Sequence, residues 1–370
     1  MSNTFFSKIY LLSLRHSKFP IRGVGSFLYI FSLPLLFSLF SCVEQEDFSS
    51  TPSGNVDALW RIMDEHYCFF DYKKQQLGVD WQDVRSRYLA QASEKLSSYQ
   101  LFELCTGMLG ELRDGHVNLS SPFDYGRNWS WHEDYPTNFS DTLQRRYLGT
   151  DYRLACGLPY RILEDNIGYV YCGTFENEFG AGNLDEILYY LAPCSALIID
   201  VRSNGGGMIT SAETLAGRFT DEKTLVGFMQ HKTGPGHNAF SSPDPQYILP
   251  AKGIRWHKPV AVLTNRSVYS AANEFVKYMK GIATAHPSAR ISIIGDQTGG
   301  GAGMPFSAEL PNGWSVRFSA CPMTDAKGVS TEQGIAPDYK VSQTDADFAK
   351  GLDTIIEFAR TILQGDEITK

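Results

Sequence analysis

Three stretches of the chain place residue types where a proton can be moved and an anion held. Ser270 stands in Asn265-Arg-Ser-Val-Tyr-Ser270-Ala-Ala-Asn-Glu274, after an apolar strand-like run and at the start of a helical stretch. The first N–H groups of a helix have no partner inside it, so a hydroxyl there can attack a carbonyl while neighbouring amides hold the oxyanion. The plain alternative is a serine that caps a helix. Asp200-Val-Arg-Ser-Asn204-Gly-Gly-Gly207 follows a second apolar run, and its glycines allow close backbone approach to a ligand. A phosphate loop would need a following Lys-Ser/Thr, which is missing, while Asp200, Arg202 and Asn204 supply side chains to pin the turn. The third candidate is His116 in Asp114-Gly-His116. Alone it reads as a structural histidine; at the mouth of a catalytic layer it is a general base. The histidines do not pair at metal-ligand spacing and the cysteines form no CxxC, so no metal site is expected.

Five motifs follow one another: Leu112-Arg-Asp-Gly-His116, Asp200 to Gly207, Tyr269-Ser270-Ala-Ala, Gly295-Asp-Gln-Thr-Gly-Gly-Gly301 and Glu332-Gln-Gly-Ile-Ala-Pro-Asp338. Together, over residues 55 to 345, they resemble the tail-specific (C-terminal processing) serine protease family. The likeness is to the branch that is similar to the tricorn protease core and the interphotoreceptor retinoid-binding repeats. It implies Ser270 as nucleophile, with the amide of Ala271 and one from the Gly205–Gly206 turn as oxyanion hole. The processing peptidases draw their base from a lysine in a Phe-Gly-Lys-Gly motif downstream of the serine. Here that stretch reads Gln297-Thr-Gly-Gly-Gly-Ala-Gly303 and holds no lysine. The tricorn-like branch implies His116 as base instead, and Glu332 as the group that orients the histidine or a polar partner in the relay. Two positions depart from the family: Asn273 stands where Glu is frequent, and Gly115 where the tricorn-like branch has serine.

The resemblance implies an α/β fold, a ClpP/crotonase-like layered core with a small N-terminal helical domain, and no PDZ domain is expected. A substrate groove would then fall to the 117–163 segment and to the stretch from His231 to Lys258. The function implied is a serine endopeptidase working through an acyl-enzyme on a protein or peptide, with no metal or organic cofactor. Two other readings stay open: a catalytically inactive module of the same fold that holds a peptide or hydrophobic ligand, and a small-molecule ester or thioester hydrolase.

Elements must bring these residues together. From Asn55 to Glu111, apolar residues recur at three- and four-residue steps: Val56, Leu59, Trp60, Met63 and Tyr67, then Trp81, Val84 and Tyr88, then, after Ser98, Leu101 to Leu109. Residues 55–116 read as a helical domain packed by these stripes. Residues 117–163 read as an irregular connecting segment in which Trp129, Trp131 and Tyr135 line a groove or cover a core edge. The catalytic core is placed at 164–345. Ile167–Tyr171, Ala196–Val201, Pro259–Leu263 and Ile291–Ile294 are its strands, alternating with helices over Leu184–Leu191, Ser211–Phe219 and Ala271–Gly281. One amphipathic helix, Asp345–Leu363, is expected to close the chain, within a C-terminal segment 346–370.

The N-terminus reads as an address. Residues 1–41 carry Lys8, Arg15, Lys18 and Arg22, then the apolar Phe27–Phe40, too short to span a membrane and suited to a signal-peptide core. Leu39-Phe40-Ser41-Cys42 resembles a bacterial lipobox, which implies diacylation of Cys42 and display in the cell envelope, periplasmic or surface-exposed. A plain signal peptide or an anchor helix is the alternative. Residues 42–54 form a polar tether. Lys+Arg 33 against Asp+Glu 41, a net charge of −8, argues against nucleic acid as partner, and loss of the acid-free leader makes the chain more acidic still. The 43% hydrophobic content excludes a disordered chain. The cysteines after Cys42, at 68, 105, 156, 172, 194 and 321, are expected to be mostly buried free thiols.

Overall fold

The computed structural model describes residues 49–365. The leader, Cys42 and most of the tether therefore lie outside the described residues. Four helices come first: α1 (Pro52–His66), α2 (Phe70–Leu77), α3 (Trp81–Leu89) and α4 (Ser98–Gly110). Each start is written in the sequence. Thr51 and Asp80 accept amides of α1 and α3, and α4 opens on a capping box in which Ser97 and Gln100 satisfy each other's backbone. Ser97 is thus the cap, and Ser98 is already helical. The apolar stripes face inward, and Val56, Leu59, Met63, Cys105 and Met108 are all buried in one cluster with Val316 and Phe318.

The segment 117–163 is more ordered than its composition suggests. It contains β1 (Asn118–Ser120), β2 (Tyr125–Gly126), α5 (Ser130–Glu133), α6 (Asp141–Leu148), β3 (Arg153–Ala155) and β4 (Leu158–Ile162). Polar and Pro-rich linkers between very short strands hid the pairing. The remaining elements are β5 (Ile167–Tyr171), α7 (Ala181–Leu191), β6 (Ala196–Asp200), α8 (Ile209–Ala216), β7 (Thr224–Met229), β8 (Asp244–Ile248), β9 (Val260–Thr264), α9 (Ala271–Ala285), β10 (Ile291–Gly295), β11 (Gly303–Glu309), β12 (Ser315–Asp325), β13 (Tyr339–Lys340), α10 (Asp345–Lys350) and α11 (Thr354–Gln364).

One sheet runs β13-β10-β9-β6-β5-β4-β3, parallel from β13 to β5 and antiparallel beyond. Its central strands are buried on both faces, which is why they read as unbroken apolar runs. Leu197, Ile199, Val260 and Val262 pack on one face with α7, α8 and α9, while Ala196, Ile198, Ala261 and Leu263 meet α11 on the other. The second sheet runs β2-β1-β12-β7-β8, with β11 also on β12. Through β12 it backs the N-terminal helices. The stretch from His231 to Lys258 supplies β8 and folds towards those helices, His237 bonding Asp64 at 2.7 Å, and lines no part of the cleft above Ser270. The six cysteines among the described residues are free, five of them buried.

The closing helix is not continuous. Gly351, at φ 74°, ends α10 in the left-handed conformation, and Asp353 caps a separate α11. Asp353 also reaches the core. Arg202, wholly buried, bonds Asp200 through Nε and Nη2 (2.9 and 2.7 Å) and both Asp353 oxygens through Nη1 (3.0 and 2.9 Å). Removing one partner of a buried pair strands the other without water. Asp353→Ala is therefore expected to lower unfolding free energy by about 3 kcal/mol, seen as an earlier midpoint in urea denaturation.

Candidate active site

The C-terminal ends of β6, β9 and β10 release three turns that face one another. The turn after β6 is held to the turn after β9 by the Ser203 amide on Asn265 Oδ1 (3.0 Å) and the Tyr269 amide on the Asn204 carbonyl (3.0 Å). Ser270 then enters α9 at φ 55°, ψ −125°, a conformation disfavoured for any residue with a Cβ. Its amide donates to the Gly300 carbonyl and its carbonyl accepts from the Glu274 amide, both at 2.9 Å, so the strained corner is fixed from both sides. A sharp strand-to-helix corner of this kind thrusts a hydroxyl outward at the helix N-terminus.

His116 arrives from the other side, after α4. Its Nε2 lies 3.0 Å from Ser270 Oγ, although 154 positions separate them in sequence. The ring is 3% exposed and tilts against Tyr269, and its amide donates to Asp114 Oδ1 at 2.8 Å. Burial, the largest influence, pushes the imidazole down to about 4; Arg317 acts the same way, while Asp114 and the backbone of Gly303 oppose it. The ring is neutral at pH 7, the form that accepts a proton. Nδ1, the other ring nitrogen, is left to the Gly303 backbone, at a geometry short of a full hydrogen bond.

A linkage follows. The unfolded ring titrates near 6.5 and the folded ring near 4, so between these values the unfolded chain binds the extra proton. This contribution to stability is whole above about 6.5 and drains as pH falls to about 4. His116→Gln is expected to shrink the fall in melting temperature between these pH values, measured by circular dichroism.

Glu332 is in the site but does not reach the ring. Its Oε2 accepts the Ala302 amide at 2.9 Å, and its Oε1 faces Lys73 Nζ at 3.4 Å. The amide it holds belongs to the 299–303 turn, whose Gly300 carbonyl accepts the Ser270 amide. Burial, then the Asp114 carboxylate, push the Glu332 carboxyl up to about 8, against the pull of Lys73 and the Ala302 amide.

Sequence reasoning passed over the carboxylate nearest the histidine. Asp114 is buried and accepts from Tyr67 Oη (2.9 Å), Ser319 Oγ (3.0 Å) and Tyr269 Oη (3.4 Å) as well as from the His116 amide. Burial alone would raise its pKa; Lys73, His116 and the hydrogen bonds bring it below the ordinary value. Its place inside the Leu-Arg-Asp-Gly-His motif was the available signal. Lys73, on α2, had none.

The oxyanion candidates divide. The amides of Ala271 and Gly205 have no partner among the described residues, whereas the Gly206 amide is already bonded to Asn204 Oδ1 at 2.9 Å. Gly206 instead supplies proximity: at φ 108°, a Cβ there would stand 2.8 Å from Ser270 Cβ and 3.0 Å from the Ala271 nitrogen. The two family departures have local reasons. A Cβ on Gly115 would meet Trp131 Nε1 at 2.4 Å, since Trp131 lies over Tyr269 with ring centres 4.0 Å apart. Asn273 is buried below the corner, where it accepts from Thr298 Oγ1 at 2.7 Å and faces Thr331. The cleft above Ser270 has a volume of about 570 Å³ and is walled by Tyr125, Trp129, Trp131 and His132 from the 117–163 segment.

Known proteins resemble this chain in sequence and in fold. Residues 166–341 match the model of peptidase family S41, and residues 52–110 match the C1 domain of tricorn protease; His116 falls between the two. Carboxy-terminal processing protease CtpA of Bacillus subtilis (strain 168) is 25% identical over 185 residues, 49% of this chain and 36% of that protein. The chain thus spans about a third of the length of that curated relative. A crystal structure of a candidate peptidase from Parabacteroides merdae is 48% identical, with a TM-score of 0.80, over 87% of this chain and 100% of that one. Mature CPAF, 12% identical over 86% of this chain and 98% of its own, has the same fold with a TM-score of 0.67. The layered core is of the ClpP/crotonase type. With its core matched to the family model and 48% identity to a solved relative across that relative's whole length, the chain belongs to peptidase family S41, a family of serine-type peptidases.

Proposed function

We propose that the chain is a serine endopeptidase in which Ser270 is the nucleophile and His116 the general base. The observation that carries this reading is the 3.0 Å approach of the neutral imidazole to a hydroxyl on a strained corner beside a free helix amide. Nε2 takes the proton as Ser270 Oγ bonds to the peptide carbonyl carbon. The oxygen of the tetrahedral intermediate turns to the amides of Ala271 and Gly205. His116 then passes the proton to the departing amine, and water, activated by the same ring, opens the acyl-enzyme. Asp114 offsets the charge that grows on the imidazole, and Glu332 is a positioning residue that holds the 299–303 turn. No step calls on a metal or organic cofactor.

A fluorophosphonate probe tests the nucleophile. Labelling of the wild type that is abolished in Ser270→Ala supports the assignment, and cleavage of unfolded casein then separates a peptidase from an esterase. A folded protein that takes no label at neutral pH overturns it in favour of a ligand-binding module.

Diacylation at Cys42 and residence in the cell envelope belong to the same proposal, on the strength of the basic leader, the apolar Phe27–Phe40 and the lipobox-like Leu39–Cys42. Incorporation of labelled palmitate by the whole precursor in a bacterial host, lost in Cys42→Ala, is the expected result.

A further inference from the structure

We propose that Arg317 selects substrates with a carboxylate just beyond the scissile bond, on the leaving-group side. This rests on the peptidase reading above. Arg317 stands on β12 opposite Asn118 of β1, and it lines the same cleft as Ser270 and His116. It is exposed, and no carboxylate among the described residues pairs with it. Neighbouring cations are already engaged: Lys73 faces Glu332, and Arg127 at the rim bonds Glu133 while lying over the Trp129 ring. Among the described residues of the cleft wall, Arg317 is the only Lys or Arg and Glu176 the only carboxylate.

The two charges sit on different walls. Glu176 follows Phe175, which bridges to Gly207 on the oxyanion turn. Arg317 belongs to the histidine wall, because β1 begins two residues after His116. The imidazole carries the proton from Oγ to the departing amine, so groups on its wall flank the leaving half of a bound peptide. A guanidinium there meets a carboxylate in a two-pronged pair that an amide cannot reproduce. The charge of Arg317 adds a second effect. Arg317 disfavours protonation of His116, and a substrate carboxylate that neutralises it strengthens the base as the peptide binds. The preference is therefore expected in kcat as well as in KM. An acidic side chain and a free C-terminus offer the same chemistry.

A defined peptide library, half of it with free and half with amidated C-termini, is digested by the wild type, Arg317→Ala and Arg317→Glu, and the cuts are read by mass spectrometry. Wild type is expected to favour a carboxylate in the first two leaving-side positions by about tenfold in kcat/KM. Enrichment confined to free-ended peptides identifies the terminus as the source, and enrichment of Asp or Glu in the amidated half identifies the side chain. Arg317→Ala is expected to cut without this preference, and Arg317→Glu to favour Lys or Arg there. Cleavage by wild type without acid enrichment on that side, or the same enrichment in Arg317→Glu, overturns the proposal and leaves the peptidase reading intact. No cleavage by a wild type that labels at Ser270 overturns both.

Discussion

His116→Ala is expected to lower kcat/KM by about 10⁴- to 10⁶-fold, because the Ser270 hydroxyl then has no base and the leaving amine no acid. The variant keeps every element that frames the site. Truncation empties the space above Ser270, and added imidazole is expected to enter it and restore part of the rate. That recovery separates a chemical role from a packing role, since refilling a cavity does not by itself supply a proton acceptor. Steady-state kinetics on casein-derived peptides, with and without added imidazole, give the answer. A rate within tenfold of wild type would remove His116 from the mechanism.

Gly206→Ala is expected to cost about 10³-fold in kcat while the protein stays folded. The new methyl would meet Ser270 Cβ and the Ala271 nitrogen inside normal contact distance, and φ 108° is a conformation that alanine resists. Relief requires the turn to back away, which withdraws Gly205 and opens the gap in which the oxyanion is held. Backbone strain of this sort costs about 1–3 kcal/mol, within what a chain of this size tolerates. Fluorophosphonate labelling rates alongside melting curves separate the two effects. Full labelling speed in a folded Gly206→Ala would show that the turn does not approach the reacting carbonyl.

How far these features could be read beforehand depended on how local their causes are. Buried parallel strands advertise themselves, since Ala196–Asp200 and Val260–Thr264 are apolar on both faces and bounded by polar turns. Ser270 and His116 were legible because each sits in a short motif, and the fold confirmed only that the two motifs meet. The antiparallel sheet was not legible: β12 alternates buried and exposed residues among Pro, Cys and Arg, and its partners β1, β7 and β11 are scattered along the chain. Lys73 escaped notice for the same reason, as a lysine on a helix reads as solvated until the fold lays Glu332 beside it. Glu332 is legible as a residue of its motif, but its neighbours are not, since no sequence spacing tells whether a carboxylate meets an imidazole, a lysine or the amide of Ala302. The closing helix was read as one because its apolar stripe survives the Gly351 break.

The Arg202–Asp353 pair has a consequence for biosynthesis. The turn that presents Gly205 and Gly206 leaves the ribosome 151 residues before the carboxylate that anchors it. Until α11 emerges and docks, Arg202 lacks one of its two acidic neighbours and the turn is only half tethered. The turn is thus completed late in folding, only once the C-terminal helix has docked. Trimming from the far end, including by a sister molecule, would disarm the enzyme by pulling away that last strut.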